Sequence, residues 1–275
     1  MPVEINQTAS DNLSTEMRLH EYGIMYEVED NFWWYVGMRN NLVNLLERYW
    51  DWKAQPQPKI LDAGCGTGAA LQRLADGFGG RISSQNALGL DLSAEALRFC
   101  KQRGLGSQTL RGSITELPFA DHTFDILLSF DVISNLPEPN PGFREFARVL
   151  RHGGLMVLNL PAYQFLYSEH DLAVRTLRRF DKGEVRKLLA ENGLMPLRMS
   201  YVNSILFPPA AAVRLTKKAL LKTKPTQDLH SDLTPPPALL NKLLLWLMAR
   251  EADLLRHSNF DLPFGLSLIT VARKM

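Results

Sequence analysis

Apolar runs and amphipathic segments alternate through the middle of the chain. The apolar runs predict β-strands near residues 59–62, 87–91, 108–111, 125–130 and 154–160. Segments with helical periodicity separate most of them, at 69–77, 94–103 and 142–150. This alternation is typical of an α/β domain, in which helices cover both faces of a doubly wound, mainly parallel sheet.

The two flanks of this region have a different pattern. Before it, aromatic and aliphatic residues between 31 and 53 recur at helical spacing, and the Pro56-Gln57-Pro58 spacer ends the predicted helix. After residue 160 the pattern predicts, in order, a helix ended by Gly193, a strand, two helices and a last strand, at 181–192, 195–203, 206–222, 238–257 and 265–272.

This organisation predicts three parts. Residues 1–55 form a helical lid, and residues 56–205 with 259–275 form the core domain. Residues 206–258 form a helical insertion before the last strand, with a mobile, proline-rich linker at 223–237. The insertion begins apolar and then becomes basic. Three roles for it stay open: a cap on the acceptor, a homodimer contact, or a peripheral membrane contact through 206–224.

Composition narrows the class of protein. The 275 residues are 45% hydrophobic and 22% charged, which is typical of a globular protein, and the net charge of +2 does not indicate a nucleic-acid-binding protein. The only cysteines, Cys65 and Cys100, belong to no CxxC or Cys/His cluster, so neither a disulfide scaffold nor a structural zinc site is expected. With no signal-peptide pattern and no long apolar run, we expect a cytoplasmic protein.

The most specific segment follows the first predicted strand and reads Ile60-Leu61-Asp62-Ala63-Gly64-Cys65-Gly66-Thr67-Gly68. Glycines permit positive φ and let a ligand lie against bare backbone, while the next helix offers free N–H groups. A dinucleotide-binding loop reads G-x-G-x-x-G and holds a pyrophosphate. Here the spacing is G-x-G-x-G behind Asp62, whose charge repels phosphate and suits an ammonium group. The loop therefore favours an adenosine that carries an amino acid over NAD.

Residues at later strand ends extend this site. Asp91 ends the second strand, where an acid holds a ribose diol, although helix capping alone is a second interpretation of this residue. Ser113 and Ile114 follow the third strand and are candidates for contact with an adenine ring. Phe130 ends the fourth strand beside the same crevice.

These motifs together resemble the class I S-adenosylmethionine-dependent methyltransferases. The resemblance runs through residues 59–160 and includes LDAGCGTG at 61–68, LPFADHTFD at 117–125 and VLRHGG at 149–154. It implies a Rossmann-like sheet of seven strands with an antiparallel last strand. The segments 161–171 and 204–215 are similar to a bacterial subgroup of the methyltransferase type 11 kind, which we associate with glycan and secondary-metabolite biosynthesis.

The resemblance also implies a cofactor, S-adenosylmethionine, and roles for individual residues. Asp62 would order the loop and bind the methionine ammonium group, and Asp91 would bind the ribose hydroxyls. Leu92 would pack on the adenine, and Ser113 stands where many relatives carry Asp. The methionine end would lie against the glycine loop, made of Gly64, Cys65, Gly66 and Gly68.

Two segments are candidates for the acceptor side. His170, between Glu169 and Asp171 after the fifth strand, is the candidate general base, and a salt-bridged loop histidine is the equal alternative. Tyr35 and Arg39 lie in an aromatic cluster before the first strand and are candidates to hold the methionine carboxylate. No metal is expected, since methyl transfer from a sulfonium mainly requires alignment and exclusion of water.

We therefore expect a methyltransferase that acts on a small molecule, a lipid- or nucleotide-linked glycan or a secondary metabolite, most simply by O-methylation. An RNA or protein methyltransferase is the alternative enzyme, and a non-catalytic cofactor-binding partner protein is the alternative of another class. No nucleic-acid partner is expected. The position after the fourth strand reads Ser129-Phe130-Asp131-Val132, without the proline-rich motif of adenine N6 enzymes.

Overall fold

The structure is a computed structural model that describes residues 18–77, 82, 84–220 and 235–275. Its centre is one seven-stranded sheet with the strand order β3-β2-β1-β4-β5-β7-β6. The strands span Ile60–Ala63 (β1), Ala87–Asp91 (β2), Thr109–Arg111 (β3), Phe124–Phe130 (β4), Leu150–Pro161 (β5), Leu194–Val202 (β6) and Ser267–Lys274 (β7). Only β7 runs antiparallel to its neighbours, which confirms the predicted sheet.

The helices lie between these strands and before them. They span Leu19–Val28 (α1), Trp33–Tyr49 (α2), Ala69–Gly77 (α3), Ala94–Gln102 (α4), Asn140–Val149 (α5), Glu169–Ala173 (α6), Lys182–Glu191 (α7), Phe207–Leu220 (α8) and Ala238–His257 (α9). The predicted helices are present within a few residues of their expected bounds, whereas α1 and α6 were not predicted. Most of the predicted linker at 223–237 lies outside the described residues.

The central strands of the sheet are buried and rich in apolar residues. β4 has six buried residues in a row, and β5 is buried from Leu155 to Pro161, as expected for a sheet that is covered on both faces. The strand order reverses between β1 and β4, which are hydrogen-bonded neighbours. The crevice beyond the carboxyl ends of the strands at such a reversal is the usual ligand site of an open α/β sheet.

Helix α9 fixes the N-terminal part to the core. Asn241 of α9 accepts a hydrogen bond from the Trp33 amide at the start of α2 (3.1 Å) and donates one to the Asn31 carbonyl (2.8 Å). Further along, Gly37 of α2 lies so close to Met248 of α9 that a Cβ would come within 2.2 Å of its Cε. The two helices thus pack as a pair. Residues of α2 and of the glycine loop line the same cavity.

Candidate functional site

A cavity of about 960 Å³ lies beyond the carboxyl ends of β1, β2 and β4. The glycine loop forms its floor, α1 and α2 form one wall, and residues 161–179 with α8 and α9 form the other. This volume is at the upper end of the range of about 300–1,000 Å³ that is usual for ligand pockets. The cavity is therefore a large ligand pocket by the usual measure.

The glycine loop has backbone conformations that glycine adopts more easily than other residues. Gly64 and Gly66 have φ values of 88° and 54°, in the left-handed region that other residues rarely adopt. A Cβ on Gly64 would lie 2.2 Å from Cγ2 of Val132, the second residue after β4. The loop is tied to β2, because the amides of Gly64 and Cys65 both donate to the Leu90 carbonyl (2.7 and 3.0 Å).

Two carboxylates flank this loop. Asp62 is 2% exposed, and its Oδ2 has no hydrogen-bond partner among the described residues. Burial, with a smaller contribution from the charge of Asp91, raises the pKa of Asp62 to about 7. Asp91 accepts hydrogen bonds from the Gly66 amide (2.8 Å) and the Ser93 amide (2.9 Å). A buried carboxylate without a donor is costly, so Asp62 fits a positively charged ligand group.

The other predicted cofactor residues lie around the same cavity, with one exception. Leu92 is 38% exposed there, which is unusual for a leucine beside a buried strand end. Gly68 does not line the cavity. Its Cβ position points instead at Cys100 and Leu105, and its φ of 89° turns the chain into α3. Its role as a cofactor-binding residue stays a prediction. The predicted residues that do line the cavity are Tyr35, Arg39, Asp62, Gly64, Cys65, Gly66, Asp91, Leu92, Ser113, Ile114 and Phe130.

Tyr35 and Arg39 lie one helical turn apart on α2. The Arg39 side chain donates through Nη2 to the Glu29 carbonyl (2.7 Å), which holds it at the cavity wall. Burial lowers the pKa of Arg39, and burial with the charge of Glu29 raises the pKa of Tyr35. A cation in a partly buried wall suits a carboxylate ligand group, so the pair stays a candidate for the methionine carboxylate.

Glu29 joins the N-terminal helices to the loop, and sequence reasoning missed it. It is 4% exposed, accepts a hydrogen bond from the Thr67 hydroxyl of the glycine loop and pairs with Nη2 of Arg103 (2.7 Å). Arg103 also donates to the Thr67 carbonyl (3.1 Å). Burial raises the pKa of Glu29, although the Thr67 and Arg103 contacts act in the opposite direction. These contacts fix the position of α1 and α2 over the loop.

His170 lies on the opposite wall, in α6. Its neighbour Asp171 is 1% exposed and forms an ion pair with Arg179 (Nε–Oδ1 2.9 Å), which also donates to the Ala162 carbonyl (3.1 Å). Arg214 of α8 approaches the same carboxylate at 4.0 Å. Asp171 thus belongs to a buried ion-pair network, while His170 is partly exposed and lines the cavity.

A further carboxyl group at the cavity, that of Asp131, was not predicted. Asp131 follows β4 with a φ of 59° and accepts a hydrogen bond through Oδ1 from Nδ2 of Asn159, which is fully buried in β5 (3.0 Å). The Asp131 amide donates to the Asn159 carbonyl (2.9 Å). Burial raises the pKa of Asp131 to about 7, and the contacts with Asn159 and Arg179 act in the opposite direction.

Among the described residues, no group of three or more His, Cys, Asp or Glu side chains is placed to hold a metal ion. None of the helices described is long and apolar enough to cross a membrane. The two cysteines are buried as free thiols, and the pKa of Cys65 is raised by its contact with Cys100 and by burial.

The sequence is similar to known methyltransferases over part of its length. Residues 61–158 match the family model of a methyltransferase domain. The fatty-acid O-methyltransferase of Mycolicibacterium smegmatis is 30% identical over 147 residues, which are 53% of this chain and 47% of that protein. The demethylmenaquinone methyltransferase of Chlorobaculum tepidum is 29% identical over 125 residues, covering 46% of this chain and 47% of that protein. The chain therefore spans about half the length of these curated relatives.

Among solved structures, the fold is similar to phosphoethanolamine N-methyltransferase 2 of Haemonchus contortus in complex with S-adenosylmethionine. The TM-score is 0.53 at 17% identity, and the match covers 85% of this chain and 52% of the other. At this identity the similarity concerns the fold alone.

Proposed function

We propose that this chain, which belongs to the class I S-adenosylmethionine-dependent methyltransferases, transfers the cofactor's methyl group to an oxygen atom of a lipophilic small molecule. The observation that carries this proposal is the size and lining of the cavity. One half is bounded by the glycine loop with Asp62 and Asp91, and the other half is bounded by apolar side chains of α2, α8 and α9 together with the polar residues Glu169, His170 and Arg214.

The residues of the first half fit the family's cofactor. The unpartnered Oδ2 of Asp62 suits the methionine ammonium group, and Arg39 with Tyr35 suits its carboxylate. Asp91 at the end of β2 suits the ribose diol, because a carboxylate can accept a hydrogen bond from each of two neighbouring hydroxyl groups. Leu92, Ser113 and Ile114 would enclose the adenine. When bound, the cofactor supplies a methyl group on a positively charged sulfur.

The second half supports an apolar acceptor. Its walls are made of Trp33 and Trp34 from α2, Pro209 and Val213 from α8, and Leu244 from α9. Such side chains exclude water and bind an apolar ligand by burial of its surface, at about 25 cal/mol per Å². The relatives named above, a fatty-acid and a demethylmenaquinone methyltransferase, fit the same class of acceptor. We extend that class to lipid-linked glycans, and propose O-methylation as the finer reaction.

The proposal is tested with methyl-tritiated S-adenosylmethionine and two pools of acceptors, a total bacterial lipid extract and the matching water-soluble extract. We expect label to enter the lipid fraction, and mass spectrometry then identifies the product as a methyl ether or ester. Asp91→Ala serves as the control, because it should lose cofactor affinity and with it all transfer. Label that enters only RNA or protein would contradict the proposal. A chain that binds the cofactor and labels no pool would favour the non-catalytic alternative.

The cellular location and the binding partners of the protein stay predictions. A cytoplasmic location, a homodimer and a peripheral membrane contact through 206–224 are not tested by the fold. Of that segment, the side chains from residue 217 onwards lie outside the described part of the chain. The described part of α8 does carry apolar side chains at its surface, since Val213 is 55% exposed. This exposure supports a contact with another apolar surface without identifying that surface.

A further inference from the structure

Asp131 lies between the two halves of the cavity. It directly follows β4, which is hydrogen-bonded to β1, and its neighbour Val132 packs against the turn at Gly64. The Gly64 turn belongs to the half that fits the methionine end of the cofactor. On the other side, the charges of Arg179 and Asp171 act on Asp131 from the acceptor wall. A carboxyl group in this position faces the place where the methyl group would pass from donor to acceptor.

The backbone and side chain of Asp131 are both held in place. Its φ of 59° is in the left-handed region, where a residue other than glycine is strained. Two groups hold it there: the Asn159 carbonyl accepts from its amide at 2.9 Å, and the Ser134 hydroxyl donates to its carbonyl at 2.8 Å. Asn159 Nδ2 then fixes the orientation of the carboxylate through Oδ1. Strain of this kind is often found at functional sites, where the surrounding structure maintains it.

One oxygen of Asp131 is left to the cavity. Oδ1 is occupied by Asn159, whereas Oδ2 receives no hydrogen bond from any part of the chain that the structure describes. Asp131 lines the cavity and is partly exposed to it. A carboxylate oxygen that is oriented, partly desolvated and without a donor is suited to accept a proton from a bound ligand.

We infer that Asp131 is the group that takes the proton from a neutral hydroxyl acceptor, with Asn159 as its positioning residue. This inference rests on the proposed function and names the acceptor class within it. In the step, the hydroxyl oxygen forms the new O–C bond to the methyl group, and the electron pair of the broken C–S bond stays on sulfur. The hydroxyl proton passes to Oδ2 of Asp131.

The electrostatics of the site agree with this assignment. The pKa of Asp131, raised by burial to about 7, is near the value at which a general base works best at neutral pH. The groups that face it are Asn159 from β5, Arg179 and Asp171 from the segment after β5, and Tyr35 from α2. A carboxylate acceptor would need no base and would place a second negative charge beside Asp131. The site therefore selects a hydroxyl over a carboxylate.

The first test needs no acceptor. Sinefungin carries an amine-bearing carbon where the cofactor carries its methylated sulfur, whereas S-adenosylhomocysteine is neutral there. Titration calorimetry at pH 6.5 should show that Asp131→Asn reduces the preference for sinefungin over S-adenosylhomocysteine by about tenfold or more, because an adjacent opposite charge is lost. Asparagine tolerates the left-handed backbone as well as aspartate does, so the variant keeps the local fold. An unchanged preference would overturn the inference.

The second test uses the acceptor that the labelling experiment identifies. Asp131→Asn should lower kcat by about 10²–10⁴-fold, with the affinity for S-adenosylhomocysteine within a few-fold. Asn159→Leu should shift the rising limb of the pH–rate profile to higher pH, because the lost hydrogen bond normally lowers the pKa of Asp131. Asp253→Asn is the matched control. Asp253 is an exposed residue of α9 that pairs with Arg250, and its replacement should change neither kcat nor the pH–rate profile.

Three outcomes would overturn the assignment. If Asp131→Asn weakens S-adenosylhomocysteine binding more than about tenfold, the residue is a cofactor ligand. If His170→Ala removes the pH-dependent limb while Asp131→Asn keeps it, the histidine is the base. If the product is an alkali-labile methyl ester, the acceptor is a carboxylate. A chain that binds the cofactor but methylates nothing contradicts the proposed function instead, and the sinefungin measurement still decides the position of Asp131.

Discussion

Replacing Asp62 by asparagine should stabilise the cofactor-free protein and weaken its cofactor binding at the same time. Asp62 is almost fully buried at the end of β1, and its Oδ2 lacks a donor. The same carboxylate fits the ammonium group of the cofactor. Its ionised form is therefore unfavourable in the empty protein and favourable in the complex. The isosteric change Asp62→Asn removes the charge without altering the shape of the site.

The magnitude follows from the pKa of Asp62, which is about 7 in the folded chain against 3.8 for an ordinary aspartate. Because the folded pKa is the higher one, this group's contribution to stability is fully present below pH 3.8 and is lost as the pH rises to about 7. The difference corresponds to about 4 kcal/mol at pH 8. Asp62→Asn should recover up to this amount in the cofactor-free protein, which raises Tm by several degrees.

The affinity for the cofactor should depend on pH in the opposite direction and rise as the pH rises. Only ionised Asp62 holds the ammonium group well, so the affinity of the wild type for S-adenosylhomocysteine should be about 20-fold higher at pH 7.5 than at pH 5.5. Titration calorimetry in two buffers of different ionisation enthalpy would count the proton released on binding. Asp62→Asn should bind weakly at every pH, whereas Asp91→Asn, the matched control, should bind weakly but keep the slope. A flat pH profile in the wild type would refute this reasoning, as would an unchanged slope in Asp62→Asn.

Two further predictions concern the loop and the metal. Gly64→Ala should lower the free energy of unfolding by at least about 2 kcal/mol, since it adds a clash with Val132 to the cost of positive φ. Gly153→Ala, at a φ of 77° with open space around it, should cost only about 1 kcal/mol in the same urea titration, and equal losses would exclude the clash. Activity should survive exhaustive chelation, and activity that a divalent ion alone restores would contradict the metal-free reaction.

The fold and the cofactor half of the site could be predicted because their signals are local. Asp62 is the third residue of β1, and the glycines follow directly after that strand, while Asp91 ends the next strand, so each acid is recognisable from its own neighbours. Gly68 shows the limit of this reasoning. Its spacing fits the motif, but spacing does not reveal that the glycine faces Cys100 and Leu105 behind the loop.

The residues that were missed depend on contacts between distant segments. α1 has little amphipathic pattern, and two buried acids, Glu21 within it and Glu29 directly after it, are residues that a periodicity argument assigns to solvent. Glu29 is recognisable only from its contacts with Thr67 and Arg103. In the sequence, Asp131 likewise is only an acid that follows a strand. Its proposed role depends on Asn159, which lies 28 residues later on the neighbouring strand. Such pairs become visible only when the register of the sheet is known.

The two carboxyl groups with a pKa of about 7 suggest how the site is prepared for transfer. Burial raises the pKa of both Asp62 and Asp131 to about 7. A large fraction of each carboxyl group is therefore protonated in the empty cavity at neutral pH. A ligand with positive charge at both its amine and its sulfur lowers both pKa values, because opposite charges favour the ionised form. Under the proposed function, Asp131 would then carry its negative charge beside a hydroxyl acceptor. After transfer, a neutral sulfur and a protonated Asp131 would no longer attract each other, which would make product release easier. In this proposal the positive charge of the bound cofactor would also activate the base.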